Sequence, residues 1–199
     1  YLNGHPIEQF SSELDEFISA NISELVPEVN KTVLIAGFVS KLKIVTTKSG
    51  NRLAIITLED MTASIDVTMY AENFTDAREF LVEGQLVIVE GEVSVDTFSD
   101  GYRIRATKAM NLDQARLMYA RGIVLKLDIE QISDDGLHVL YDILSGYCDG
   151  DCPVFIAYNN GEAVAKLALG DKWKVQPCEE LLVKLKNQFG PTGVSLVYG

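Results

Sequence analysis

Positive charge is scarce in this chain. Seventeen lysines and arginines stand against twenty-nine aspartates and glutamates over 199 residues, a formal net charge of −12. A molecule so charged gathers no polyanion by its overall field; contact with nucleic acid has to run through a local patch, and weakly. Cysteine is scarce too. Cys148, Cys152 and Cys178 are an odd count, which is no disulfide framework and fits a reducing, cytoplasmic setting. No apolar run approaches the ~18 residues of a helical membrane span. The opening "YLNGHPIEQF" lacks the basic and apolar parts of a signal peptide. It begins on Tyr rather than Met, as expected of a piece cut from a longer protein.

Chemistry-bearing motifs are equally thin. There is no Walker or dinucleotide glycine loop. His5 and His138 stand alone, so no Ser-His-Asp set assembles. "CDGDC" (148–152) has no second thiol pair, whereas zinc asks for four ligands. The acid pairs Glu59-Asp60 and Asp134-Asp135 have no third partner, which leaves solvated surface as their simplest reading. The expectation is no catalytic residue, no metal and no cofactor.

What is present is periodicity. Residues 1–27 hold five acids and no Lys or Arg. They read as a connector with one short helix, capped by Ser12 and ended by Pro27. From Thr32 the apolar period becomes two. Residues 32–45 and 53–58 are β-rich and joined across Gly50-Asn51, a tight-turn signal. "SIDVTMY" (64–70) alternates, with Ile65, Val67 and Met69 on one face and Ser64, Asp66, Thr68 and Tyr70 on the other. "AENFTDAREFL" (71–81) has helical spacing and Gly84 beyond it. Residues 85–96 and 102–109 are strands again, with Gly91 inviting a bulge in the first. Three strands, a helix and two strands within residues 28–112 is the order of an OB-fold five-stranded barrel.

Residues 113–199 follow another pattern. "NLDQARLMYARG" (111–122) reads as a helix stopped by Gly122, before the alternating "IVLKLDI". Leu137, Leu140, Ile143 and Leu144 form a helical stripe, "PVFIAY" and "EAVAKLAL" a hairpin across "NNG", and Leu181, Leu182, Leu185 and Phe189 a second stripe before "VSLVY". This is a βαββαβ order, and it predicts a ferredoxin-like α+β domain.

The few cations are not scattered. Lys41, Lys43, Lys48 and Arg52 gather about the first barrel turn, "TTKSGNR", and Arg103 and Arg105, two apart, share one face of the fifth strand. Such barrels take single-stranded nucleic acid across strands 2 and 3 and the adjoining loops, with cations tracking phosphates and aromatics stacking bases. Tyr70, Phe98 and Tyr102 are the candidate stackers. Taken singly, each of these residues also reads as ordinary surface; their recurrence on one predicted surface favours binding. Trp173, between Lys172 and Lys174, is core filler or a partner-binding anchor.

The segments "YLNGHP", "VLIAGFVSKLKIVTTKSGNRLAIITLEDMTASIDVTMY", "LVIVEGEVSVDTFSDGYRIRATKAMNLDQAR" and "YARG", in this order, resemble the C-terminal region of bacterial DNA polymerase III alpha subunits. The resemblance runs strongly to about residue 122 and more loosely beyond. It implies an OB domain that contacts single-stranded template DNA, weakly and with salt sensitivity, during chromosomal replication. It implies a last domain that docks the tau subunit of the clamp loader. The parent would be a DNA-directed DNA polymerase, a nucleotidyltransferase, whose catalytic aspartates lie upstream, so that this stretch is itself no enzyme and works tethered to the rest of the alpha chain. Thr47, Lys48, Gly50, Asn51 and Arg52 match the family's turn motif and are expected to contact the ligand or shape the loop. The competing expectation is a pure protein-protein interaction module of the replisome without significant DNA binding. "QLVIV" (85–89) faintly resembles peptides that dock on sliding clamps, but it lies within a predicted strand.

Overall fold

The computed structural model describes residues 7–47, 50–96, 101–128, 131–159 and 164–199. The chain divides into two compact units, Tyr1–Leu112 and Asp113–Gly199.

In the first unit, β1 (Thr32–Thr46), β2 (Arg52–Glu59), β3 (Ser64–Tyr70), β4 (Leu86–Asp96) and β5 (Gly101–Met110) close into a barrel of order β1-β2-β3-β5-β4. Alternation is the cause in β2 and β3, while β1 and β4 add runs buried on both faces, Val33–Gly37 and Val87–Val89. Ile35, Ile56, Leu58, Val67, Met69, Val87, Val89 and Ile104 all point inward and are sealed from solvent. Each such side chain contributes about 1.5–3 kcal/mol by leaving water. β1 serves two neighbours. Its first half pairs with β4 and its second half with β2, and the register shifts between Val39 and Lys41. β3 and β5 pair in parallel over Asp66–Thr68 and Arg103–Arg105. Gly91 lies beside a bulge in β4, where an added Cβ would come within 2.5 Å of the Arg105 carbonyl oxygen. Residues 86–89 of "QLVIV" lie in β4 with Val87, Ile88 and Val89 buried, as expected of a segment within a predicted strand.

The connector is part of this unit. Helix α1 (Glu8–Leu14) starts at Ile7 and not at Ser12, one turn earlier than the cap signal suggested. Ile7 and Leu14 are both buried, so packing sets its position. Ile22 and Leu25 join the barrel core. Ser19 Oγ accepts from the Leu34 N–H at 2.8 Å, and Asp60 accepts from the Ile22 N–H at 2.7 Å. Helix α2 (Ala71–Ala77) follows β3.

The second unit contains α3 (Leu112–Tyr119), β6 (Ala120–Leu127), α4 (Asp134–Ser145), β7 (Val154–Asn159), β8 (Val164–Ala168), α5 (Glu179–Phe189) and β9 (Val194–Tyr198). The expected βαββαβ order is present, but the strand order is β8-β7-β6-β9. A ferredoxin-like sheet inserts another strand between those of the first βαβ unit. Here β6 pairs directly with β7 in parallel, and β8 takes the edge. Gly122 is also not a helix stop. It lies inside β6 with no room for a side chain, because an added Cβ would be 2.6 Å from the Phe155 ring. "GDKWKV" forms a 3-10 turn at Asp171–Trp173 followed by a single bridge, Cys152 to Val175.

Candidate nucleic-acid interface

Cross-strand register decides which side chains share a face, because residues directly opposite one another point the same way. Lys41, Thr57, Asp66 and Arg103 form one row across β1, β2, β3 and β5. Lys43, Ile55, Thr68 and Arg105 form the next, and Val45, Leu53 and Tyr70 a third. All three rows are on the outer face, since their neighbours Ile56, Val67 and Ile104 fill the core. Lys41, Lys43, Arg105 and Tyr70 are exposed. The Arg105 guanidinium lies over the Tyr70 ring, 5.7 Å from its centre. Charge and aromatic surface therefore meet at one place, beside a half-buried apolar strip of Leu53, Ile55 and Val45.

The face is of mixed sign. Asp66 sits within the first row and accepts from the Thr57 hydroxyl at 2.8 Å. Arg103 is half-buried and forms an ion pair with Asp96. Glu92 stands opposite Arg105 across the β4–β5 pair.

Other predicted residues fall elsewhere. Lys48 and Phe98 lie outside the described residues. Arg52 and Tyr102 alternate onto the inward-facing parity of β2 and β5, shared with Ala54 and Ile104. At the strand ends that parity is open to solvent, and both side chains are exposed. Neither shares the face of Lys43 and Arg105. Thr47 shapes the turn: its hydroxyl bonds the Asn51 backbone at 3.1 Å, while the Gly50 N–H donates to the Thr47 carbonyl at 2.9 Å. Gly50 has φ +84°, a left-handed conformation that favours glycine. Asn51 is exposed and supplies backbone to the same turn.

Asp66 was readable in the sequence, since "SIDVTMY" puts it on one face with Thr68 and Tyr70. The acid pairs have structural duties. Burial pushes the Asp60 carboxyl up, but bonds from the Ile22 N–H, the Thr62 hydroxyl and the Ala63 and Thr62 N–H groups outweigh it and hold its pKa below the usual value. Asp134 and Asp135 lie in the first turn of α4, where negative charge complements the helix dipole. Among the described residues, no three His, Cys, Asp or Glu side chains cluster to hold a metal. Burial raises the Cys152 thiol to about 11. No helix among the described residues is long and apolar enough to cross a membrane.

In the second unit, Trp173 meets Tyr141 edge to face, ring centres 5.2 Å apart. With Leu137, Leu140, Leu144, Ile156 and Leu169 they line an apolar cleft of about 190 Å³. Tyr141 is 55% exposed and Leu137 39%, so the cleft opens to solvent.

Residues 33–112 match the family model of an OB-fold nucleic acid binding domain. Residues 139–190 match that of the C-terminal domain of DNA polymerase III subunit alpha. The chain is 35% identical over 198 residues to the DNA polymerase III subunit alpha of Pseudomonas aeruginosa, and 34% identical over 200 residues to that of Escherichia coli strain K12. Each alignment covers all of this chain and 17% of the relative's length. Among solved structures, the second OB-fold domain of replication protein A from Methanococcus maripaludis is 28% identical, with a TM-score of 0.36 over 47% of this chain and 95% of that one.

Proposed function

From the premise that this chain is a relative of the C-terminal region of DNA polymerase III subunit alpha, we propose that its barrel holds single-stranded template DNA during replication. The observation that carries this reading is the shared outer face of Lys41, Lys43, Arg103, Arg105 and Tyr70. The cations meet phosphates, and the exposed Tyr70 ring offers a base a stacking surface worth about 1–3 kcal/mol. Asp66 and Glu92 weaken the field on that face, and the net charge of −12 weakens it further. Free in solution the chain binds feebly. Joined to the rest of the alpha chain, it meets DNA at high effective concentration. On this reading the chain supplies no catalytic group and no cofactor; nucleotidyl transfer belongs to the remainder of the polymerase.

The test is a fluorescence-anisotropy titration of labelled oligothymidine at two salt concentrations. Binding that weakens with salt, with a slope of about two to four released counterions, is expected. No binding at the lower salt concentration would leave the protein-interaction reading in its place.

We propose a second role for residues 113–199: docking the tau subunit of the clamp loader. The open apolar cleft at Leu137, Tyr141 and Trp173 supports it, since an aromatic-lined cleft is the usual anchor of such contacts. Capture of tau by the full chain, but not by residues 1–112 alone, is expected in a pull-down. Replacing the exposed Tyr141 by Ala should weaken capture without unfolding the unit. Equal capture by the full chain and residues 1–112 would remove this role.

A further inference from the structure

Strand β8 ends the sheet of the second unit, and its edge runs along the apolar cleft. Among the described residues it has a strand on one side only, β7. The Leu169 N–H donates to the Val154 carbonyl at 3.0 Å. An antiparallel ladder alternates, so Leu167 also turns its N–H and C=O toward β7, while Lys166 and Ala168 turn theirs away from the sheet. Among the described residues nothing bonds those outward groups. Residues 165–168 are all exposed. A lysine on an edge strand commonly wards off a further strand. Here the Lys166 ammonium lies over the Phe155 ring, 4.3 Å from its centre, on the sheet face opposite Leu167.

Leu167 pairs with Ile156, which lines the cleft, so the two point the same way. Leu167 is 60% exposed and carries the floor of the cleft out to the sheet edge. A strand set beside β8 would lie about 4.8 Å further out and send every second side chain to the face that Tyr141 and Trp173 wall. The wall has a sign of charge. Helix α4 carries Asp134, Asp135 and Asp142 and no Lys or Arg. A basic segment complements it. A second copy of this chain, with net charge −12, does not.

We propose that the β8 edge takes an extended, basic and apolar segment of a partner protein as a fifth strand, with alternate side chains seated in the cleft of Tyr141 and Trp173. The inference rests on the docking reading of that cleft and adds how the partner is held. Backbone bonds to Lys166 and Ala168 give it register, and apolar anchors beside Leu167 give it selectivity.

The test uses the 199-residue chain and tau, the probe of the docking experiment above. Lys166→Pro removes one outward N–H and leaves the ladder to β7 intact, since that nitrogen faces away from it. It should weaken affinity for tau about tenfold. Lys166→Ala keeps the N–H and should stay within about twofold of the unaltered chain, because a basic partner gains little from that charge. Amide exchange followed by NMR gives a readout free of any substitution. In the tau complex the Lys166 and Ala168 amides should slow by at least about tenfold, and that of Leu167, already bonded to β7, far less. A folded Lys166→Pro chain with unchanged affinity, or Lys166 and Ala168 amides that exchange as fast in the complex as outside it, would overturn strand addition and leave the docking reading standing. Protection of both amides in the chain alone, with a dimer in sedimentation, would overturn it in favour of a second copy. No binding of tau by the unaltered chain would overturn both readings.

Discussion

The guanidinium of Arg116, 2% exposed, lies 2.6 Å from a carboxylate oxygen of Glu179, across 63 positions of sequence. Asp113 completes the arrangement at 3.0 Å from the same nitrogen, and its oxygen also accepts from the Glu179 N–H at 2.9 Å. One buried cation thus ties α3 to the first turn of α5. Removing it leaves two carboxylates facing each other beside the core.

Arg116→Ala should destabilise the second unit by about 2 kcal/mol. That is less than the 3–5 of a fully buried pair, because Asp113 and Glu179 are half-exposed and can hydrate. The sole tryptophan, Trp173, lies in this unit, so its fluorescence during urea unfolding reports the change. A midpoint within error of the parent's would contradict it.

On the barrel face, Lys43→Ala and Arg105→Ala should each reduce oligothymidine affinity severalfold and flatten the salt dependence by about one counterion. Arg52→Ala, on the opposite pleat, should do less to both. Anisotropy titrations at several salt concentrations distinguish them, and an effect of Arg52→Ala equal to that of Lys43→Ala would move the interface to the hairpin tip.

Gly91→Ala should cost about 1–3 kcal/mol, because the new methyl meets the Arg105 carbonyl and Ile104 Cγ2 at 2.5 and 2.7 Å. The strain falls on β5, so weaker oligonucleotide binding should accompany the lower melting temperature seen by circular dichroism. An unchanged melting temperature would mean that the β4–β5 pair yields more readily than its register implies.

Asp60 gives a pH signature. Its folded pKa is depressed below 3.8, so its contribution is fully present above that value and is lost as pH falls through the folded pKa. Asp60→Ala should lower stability by about 1–2 kcal/mol at neutral pH, the lower end being favoured because the group is half-exposed. The gap between the two proteins should narrow in strong acid. Urea melts at a series of pH values measure it, and a gap that widened on acidification would reverse the assigned sign.

The sequence made the barrel legible because its information is local. Ile65, Val67 and Met69 alternate with polar residues, and any strand so patterned must bury one face. Other features depended on partners far along the chain. Gly122 resembled a helix stop, but its purpose is the Phe155 ring across the sheet. The hairpin of β7 and β8 was visible, yet only tertiary pairing decided that β7 lies against β6. Arg52 and Tyr102 qualify as binding residues by type and proximity, whereas pleat parity turns them from the face of Lys43. Asp66 shares that face by the same alternation, and a count of cations alone does not register it.

The parallel junction between β3 and β5 involves only three residue pairs, centred on Val67 and Ile104. It is the shortest rung set in the barrel's circumference, and Thr68 and Arg105 form its last rung. An extended ligand reaching from Tyr70 to Arg105 would straddle that gap and hold its margins together. Occupancy should therefore slow amide exchange along β3 and β5 more than along β1 and β4, where the ladder is already long.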